Sequence, residues 1–151
     1  MDNALELTPR QNTLLVFLGV NGEEKLDPIR VQKGMFILAK ETPQDWLSSE
    51  ARYHFEPYHY GPYSSALYRD LDELEQHGYI DKTVVLGRSW DYYSLSSEGV
   101  RLYQEVSETM DPKAVEYSQK IREFIGKLSF RKLLTTVYEQ YPDYAVNSVF
   151  K

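Results

Sequence analysis

Apolar residues recur at helical spacing in two stretches of residues 8–40. Thr8 precedes Pro9 and lies three residues before Gln11, which is the arrangement of a capping box at a helix N-terminus. The apolar stripe behind it predicts a first helix: Leu14, Leu15, Phe17 and Leu18. Asp27 and Pro28 predict the start of a second helix in the same way. Its predicted buried side consists of Ile29, Val31, Met35, Phe36, Leu38 and Ala39.

Residues 53–78 begin with aromatic alternation and end with helical spacing. The alternation over residues 53–58 predicts a short extended segment that Pro57 stops. The dipeptide Gly61-Pro62 predicts a turn. Either of the next two serines can cap a third helix that runs to His77, before Gly78. Three leucines mark the buried side of that helix: Leu67, Leu71 and Leu74.

Two β-favouring runs and three more helices follow. Residues 83–86 and 90–95, separated by the three residues 87–89, predict a hairpin with a three-residue loop. Ser96, Asp111 and Ser129 predict the starts of three helices. The first of these offers Val100, Leu102, Tyr103 and Val106 for packing. Residues 141–151 are apolar enough that we expect this tail to dock on the rest of the chain.

The order of these elements is typical of a winged helix-turn-helix, in which the hairpin is the wing. The predicted fold class is mainly α with a small β-hairpin (α+β), with additional C-terminal helices. Residues 1–151 are predicted to form one domain, because they contain no repeat and no long linker. Within it, residues 8–95 form the core with the wing and residues 96–151 form the helical extension.

Four short motifs resemble a known group of bacterial proteins. They are Lys33-Gly34-Met35-Phe36, Tyr60-Gly61-Pro62-Tyr63, Gly78-Tyr79-Ile80 and the run from Tyr93 to Gly99. Over residues 8–148 the chain resembles the uncharacterised YwgA-like proteins and, more distantly, the SocA-like or Panacea antitoxin domains. The resemblance implies a winged-helix-like fold with a regulatory or toxin-neutralising role. It implies no catalytic residues.

Composition and charge narrow the function classes. The 151 residues contain no cysteine, which excludes disulfides, thiolate metal sites and thiolate nucleophiles. We expect a cytoplasmic protein without a membrane span, because no run of about 18 apolar residues and no apolar signal region occurs. The net charge of −6 is unevenly spread. Residues 1–111 hold 10 basic and 19 acidic side chains, whereas residues 112–151 hold 7 basic and 4 acidic ones.

The charge of the third helix opposes ordinary DNA binding. Four carboxylates stand against Arg69 alone: Asp70, Asp72, Glu73 and Glu75. A recognition helix lies close to phosphates, so these acids weaken that docking mode even if they only keep the helix face hydrated. The candidates for DNA contact are Ser64, Ser65, Tyr68 and Arg69, with Arg88 at the wing tip. A C-terminal basic set could contact phosphates or simply be solvated: Lys113, Lys120, Arg122, Lys127, Arg131 and Lys132.

Tyrosines before and within the third helix are candidates for a protein interface: Tyr58, Tyr60, Tyr63 and Tyr68. Tyrosine is rigid and amphipathic, so it suits interfaces, but half-buried packing is an equally good interpretation. Tyr63 and Tyr68 lie five positions apart and need not share a face. Base stacking is disfavoured, because only Arg52 and Arg69 are close to supply cations.

Catalysis has one candidate region. His54, Glu56 and His59 suggest a metal site, although on an extended segment His59 would point away from the other two. No phosphate loop or serine elbow occurs, and we expect no cofactor. The leading hypothesis is a non-enzymatic binding module, transcriptional-regulator-like or antitoxin-like. It acts through a protein partner or through itself, as a homodimer joined by its first and C-terminal helices. The alternative is a metal-dependent protein or enzyme.

Overall fold

The computed structural model describes residues 6–22 and 24–149, and this part of the chain contains six α-helices and four short strands. In chain order they are α1 (Pro9–Gly19), α2 (Pro28–Glu41), β1 (Glu56–Tyr58), β2 (Gly61–Tyr63), α3 (Ser65–Gln76), β3 (Ile80–Val84), β4 (Asp91–Leu95), α4 (Ser97–Thr109), α5 (Pro112–Gly126) and α6 (Phe130–Gln140). Short 3₁₀ turns span Ser49–Ala51 and Pro142–Ala145. The protein is mainly helical with two small antiparallel hairpins, which confirms the α+β class.

Side-chain caps begin the helices where the sequence predicts them. Gln11 N donates to Thr8 Oγ1 at 3.2 Å and Thr8 N donates to Gln11 Oε1 at 3.0 Å, so the capping box of α1 is complete. The other five helices each have a first-turn N–H bonded to a predicted cap: Asp27, Ser64, Ser96, Asp111 and Ser129. Gly78 follows α3 with φ of 83°, the left-handed conformation expected of a helix terminator.

The hairpin predicted over residues 83–95 is present with different bounds. β3 begins at Ile80 rather than at Thr83, and residues 85–90 connect it to β4, so the three-residue loop was wrong. Leu26 adds a third short pairing. Its N–H donates to Tyr93 O at 2.9 Å, and Tyr93 N donates to Leu26 O at 2.8 Å. The segment before α2 is thereby joined to the outer edge of β4.

A second hairpin occupies the segment predicted to be a stopped strand and a turn. Pro57 lies inside β1 opposite Pro62 in β2, and the two-residue turn is at residues 59–60. In an antiparallel ladder every second pair of opposite residues exchanges no backbone hydrogen bond. Pro57 and Pro62 form such a pair, so neither needs an N–H donor. Both predictions were therefore wrong: Pro57 does not stop the strand, and Gly61-Pro62 is not the turn.

One hydrophobic core connects the N-terminal and C-terminal halves. It includes Leu14, Phe17, Val31, Phe36, Leu67, Leu71, Leu74, Ile121, Ile125, Leu133 and Val137, all at most 4% exposed. Helix α4 contributes least. Its Leu102, Tyr103 and Val106 are half-buried, but Val100 is exposed, contrary to its predicted packing role.

The described residues of the C-terminal tail, 141–149, dock on the rest of the domain, as predicted. The rings of Tyr141 and Tyr144 lie 4.8 Å and 4.7 Å from that of Phe36. Farther along, Val149 N donates to His59 O at 2.8 Å, which ties the tail to the turn between β1 and β2. Phe150 and Lys151 lie outside the described residues.

Three arginines cap helix C-termini from within the fold. Arg122 is fully buried and donates to the carbonyls of Phe17 and Leu18 at 2.8 Å and 2.9 Å. These carbonyls belong to the last turn of α1, where intrahelical donors are absent and the helix dipole is negative. In the same way Arg52 bonds carbonyls at the end of α2 and Arg30 bonds carbonyls at the end of α5.

Replacing Arg122 with methionine should lower the free energy of unfolding by about 2–4 kcal/mol, because it leaves buried carbonyls of α1 without donors. Urea denaturation measures the change. Lys120→Met on the same helix is the control, since its exposed amine pairs with the equally exposed Glu116, and we expect less than about 0.5 kcal/mol there. Equal stability of the two variants would show that Arg122 has no such role.

Candidate functional site

Two buried polar side chains of α2 hold the β1–β2 hairpin. The Gln32 amide donates to Ser64 O at 3.0 Å and accepts from Ser64 N at 2.8 Å, in the manner of a backbone pairing. The neighbouring Lys33 donates from Nζ to Pro62 O at 2.8 Å. Since Ser64 is also the N-cap of α3, these bonds fix β2 and the start of α3 against the same helix.

Gly61 allows the hairpin to pack against α6. Its φ is 87°, a conformation that side chains disfavour. A Cβ atom at this position would lie 2.7 Å from the ring of Tyr138. The ring thus lies directly on the backbone of β2. The Tyr138 hydroxyl in turn contacts Ser148 Oγ at 2.5 Å, so α6 and the tail support the hairpin from one side.

The four candidate tyrosines come together around one hairpin, and we name Tyr58, Tyr60, Tyr63 and Tyr68 the tyrosine face. The ring of Tyr63 lies 4.9 Å from that of Tyr58 and 5.5 Å from that of Tyr68. Tyr60 instead contacts Phe130 of α6, at 5.9 Å. Tyr58 and Tyr60 are 49% and 43% exposed, and the other two are half-buried. Tyr63 and Tyr68, which need not have shared a face, are in ring contact.

A pocket of about 120 Å³ opens within the tyrosine face. All four tyrosines line it, together with the first two turns of α2 and the start of β2: Pro28, Ile29, Gln32, Lys33 and Gly61. Apolar walls with a few convergent polar groups are the usual composition of a ligand pocket. The pocket therefore joins the protein-interface candidates to the buried polar pair of α2.

Lys33 is the unusual ionisable group of this pocket. It is 3% exposed, and burial lowers the pKa of its amine from 10.5 to about 7. Desolvation disfavours the charged form, and no acidic partner offsets it. Burial disfavours the charged form of Tyr68 as well, because it raises the pKa of the phenol and keeps the hydroxyl protonated. Near neutral pH the pocket thus contains an amine whose pKa is about 7, together with the protonated hydroxyl of Tyr68.

Gln32 and Lys33 were not among the predicted site residues. A signal for them existed, since both interrupt the otherwise apolar side of α2 between Val31 and Met35. Polar side chains at such positions must find hydrogen-bond partners inside the protein. Their partners, Pro62 and Ser64, could not be named from the sequence, because they lie about thirty residues away.

The DNA-contact candidates lie in different environments. Ser64 is buried and its hydroxyl accepts from Leu67 N as a cap, so it does not reach solvent. Ser65 and Arg69 are exposed on α3. The guanidinium of Arg88 lies 5.6 Å from the ring of Trp90 in the β3–β4 connection. Tyr68 belongs to the tyrosine face described above.

The acids of α3 make contacts within the chain. Asp70 accepts from the Tyr53 hydroxyl at 2.6 Å, and Glu73 accepts from the Gln11 amide at 2.6 Å. Asp72 pairs with Lys82 of β3 at 2.9 Å. The carboxylates therefore attach α3 to α1, to the segment before β1 and to β3, beyond keeping the helix hydrated.

The remaining predicted sites are dispersed. Among residues 6–22 and 24–149, no three His, Asp or Glu side chains lie close enough to hold a metal ion, so His54, Glu56 and His59 do not form such a group. The ring of His59 instead stacks on Tyr58 at 4.3 Å. In the C-terminal basic set, Arg122 is fully buried as the cap of α1, so its guanidinium does not lie at the surface.

The stability of the wild-type protein should depend on pH through Lys33. Because the folded pKa lies below the unfolded value, the unfolded chain binds more protons between pH 7 and 10.5, and stability rises with pH across that window. Relative to Lys33→Met, the wild-type free energy of unfolding should increase by about 2–3 kcal/mol from pH 7.5 to 9.5. Denaturant titrations at each pH measure it. Lys40→Met, an exposed lysine of the same helix, should track wild type. A Lys33→Met curve parallel to wild type would contradict the burial effect.

Two comparisons with known proteins found no relative of this chain. A scan against protein-family models and a search of curated proteins each found no match. Within residues 6–22 and 24–149, no helix is long and apolar enough to cross a membrane. What the chain does is therefore inferred from its own side chains, above all from the tyrosine face and its pocket.

Proposed function

We propose that this protein is a non-enzymatic binding module that recognises a partner protein through the tyrosine face. The observation that carries the proposal is the collection of four tyrosines around one pocket, two of them more than 40% exposed. Tyrosine combines a large apolar ring with a polar end, and interface hot spots are enriched in it. A pocket bordered by such rings suits an anchoring side chain of the partner.

The support beneath the tyrosine face favours the same role. Gln32 and Lys33 bond the hairpin backbone from α2, while Tyr138 and the tail contact it from α6. A surface held in its bound shape loses little conformational entropy on association. The hairpin therefore resembles a preorganised contact surface more than a mobile loop.

The element order supports a winged-helix module. Helix α1, the Leu26 pairing, α2, α3 and the β3–β4 hairpin follow one another as in that class, with the β1–β2 hairpin inserted before α3. Together with the resemblance to YwgA-like and SocA-like or Panacea domains, this favours a regulator-like or antitoxin-like role. A cytoplasmic location and self-association through α1 and the C-terminal helices belong to the same proposal.

DNA binding is a second candidate that the element order alone favours. Ser65 and Arg69 are exposed at the start of α3, and Arg88 lies on the predicted wing. The acids of α3 oppose it, although Lys82 compensates Asp72 in part. Metal-dependent catalysis has no comparable support, because His54, Glu56 and His59 do not converge.

Tyr60→Ala should remove the partner while leaving the fold intact, because Tyr60 is 43% exposed and its ring packs at the surface against Phe130 at the start of α6. Loss of a hot-spot tyrosine costs about 2 kcal/mol or more, roughly a thirtyfold loss of affinity. Quantitative pull-down from the native host, followed by titration of the captured protein, measures it. The control is Trp90→Ala, an aromatic residue of matched 41% exposure in the β3–β4 connection. A partner retained by Tyr60→Ala, or lost equally with Trp90→Ala, would contradict the proposal.

The DNA alternative has its own test. If α3 and the wing dock on duplex DNA, affinity should fall steeply with salt, and Arg69→Ala should reduce the salt slope by about one. Arg101→Ala, which removes an exposed arginine of α4 paired with Glu98, is the control and should leave the slope unchanged. Fluorescence anisotropy at increasing salt measures both. No binding at low salt would remove DNA from the candidates.

A further inference from the structure

The described lining of the pocket in the tyrosine face contains one basic side chain and no carboxylate. Among the described residues that line it, Lys33 is the one that can become a cation, and none carries a carboxylate. The tyrosines of the lining contribute O–H donors and flat ring faces. A ligand group that complements this lining is small, accepts hydrogen bonds and carries negative charge.

Asp27, the N-cap of α2 next to the lining residue Pro28, is already paired. Asp27 accepts from the Arg30 side chain at 2.6 Å and from the Arg30 backbone N–H at 2.9 Å. Burial alone accounts for the lowered pKa of Lys33, so Asp27 does not serve as its counter-ion. The other titratable side chains that line the pocket are its four tyrosines, and Tyr93 and Asp72 act on Tyr68 electrostatically, as Asp27 does.

Lys33 has one acceptor among the described residues, Pro62 O. One acceptor suits a neutral amine, whereas an ammonium has three N–H donors and needs a counter-charge when it is buried. An anion that enters the pocket would supply both an acceptor and that charge. Binding would therefore be coupled to protonation of Lys33.

The size and single charge of the site favour a carboxylate over a phosphate. A cavity of about 120 Å³ accommodates a group of a few heavy atoms. One lysine balances the single charge of a carboxylate, whose flat shape matches the tyrosine rings. A phosphate group carries about −1.5 to −2 charges at neutral pH and is usually met by arginine forks or several donors. No arginine lines the described part of the pocket.

We propose that this pocket binds a single carboxylate group, which forms an ion pair with Lys33. The inference rests on the proposed protein-binding function, since the same tyrosines surround the pocket, and it names the anchor that the partner would insert: an Asp or Glu side chain. A free small carboxylic acid has the same chemistry and is the other source to be distinguished.

Propionate tests the chemistry directly. NMR titration at pH 8, with lysine labelled at Cε, should show propionate binding to wild type and to Lys40→Met equally, and at least about tenfold more weakly to Lys33→Met. The Lys33 Cε signal of wild type should move to the ammonium position on binding, a readout that does not depend on any variant folding. Propionamide, the neutral analogue, should not bind. Equal binding of propionamide, tighter binding of inorganic phosphate, or an unchanged Lys33 signal would overturn the inference.

Partner capture separates this inference from the proposed function. If the partner docks by a carboxylate, Lys33→Met should lose it as Tyr60→Ala does, and propionate should compete with it. A partner lost with Tyr60→Ala but retained by Lys33→Met, without propionate binding, would overturn the carboxylate and leave the protein-binding function standing. Propionate binding that depends on Lys33, in the absence of any partner, would instead support the site with a free acid as its ligand and overturn the protein-binding function.

Discussion

The hydrogen bonds from Gln32 and Lys33 to the backbone of residues 62–64 determine how the middle of this protein is arranged. Pro62 lies at a ladder pair that needs no hydrogen bond and Ser64 lies beyond the end of β2, so their backbone groups need partners outside the hairpin, and a buried peptide group without a partner is costly. Two adjacent side chains of α2 satisfy these groups. Because Ser64 is both the partner of Gln32 and the cap of α3, the same bonds set where the third helix starts and where its Tyr68 lies.

Four of the 17 cationic side chains bond backbone carbonyls within the fold, which bears on what the surface can bind. Three of the eight arginines cap helix C-termini, and Lys33 bonds the hairpin. The basic excess of residues 112–151 is thus smaller at the surface than in the sequence, since Arg122 is buried. Several acids of α3 are likewise bound within the chain. A protein contact through neutral tyrosines is more compatible with this distribution than phosphate binding.

Elements governed by neighbouring residues were predicted well, and those governed by distant ones were not. Five helix caps were predicted as single residues and the cap of α3 as either Ser64 or Ser65, of which the structure uses Ser64, because a serine, threonine or aspartate bonds an N–H only two or three residues away. The β1–β2 hairpin was missed because Pro57 and Gly61-Pro62 are local breakers whose pairing depends on α2 and α6. For the candidate site, the tyrosines were predicted but the lysine beneath them was not.

By itself the sequence determined the α+β class, the positions of the helices and the tyrosine-rich approach to α3, since these follow from spacing, caps and composition. Only the tertiary structure decided that Tyr63 and Tyr68 touch, that Arg122 is a cap rather than a surface charge, and that Lys33 lies in the tyrosine pocket. The physical reason is that the environment of a polar side chain depends on burial and on partners many residues away. Those partners become neighbours only when the helices pack.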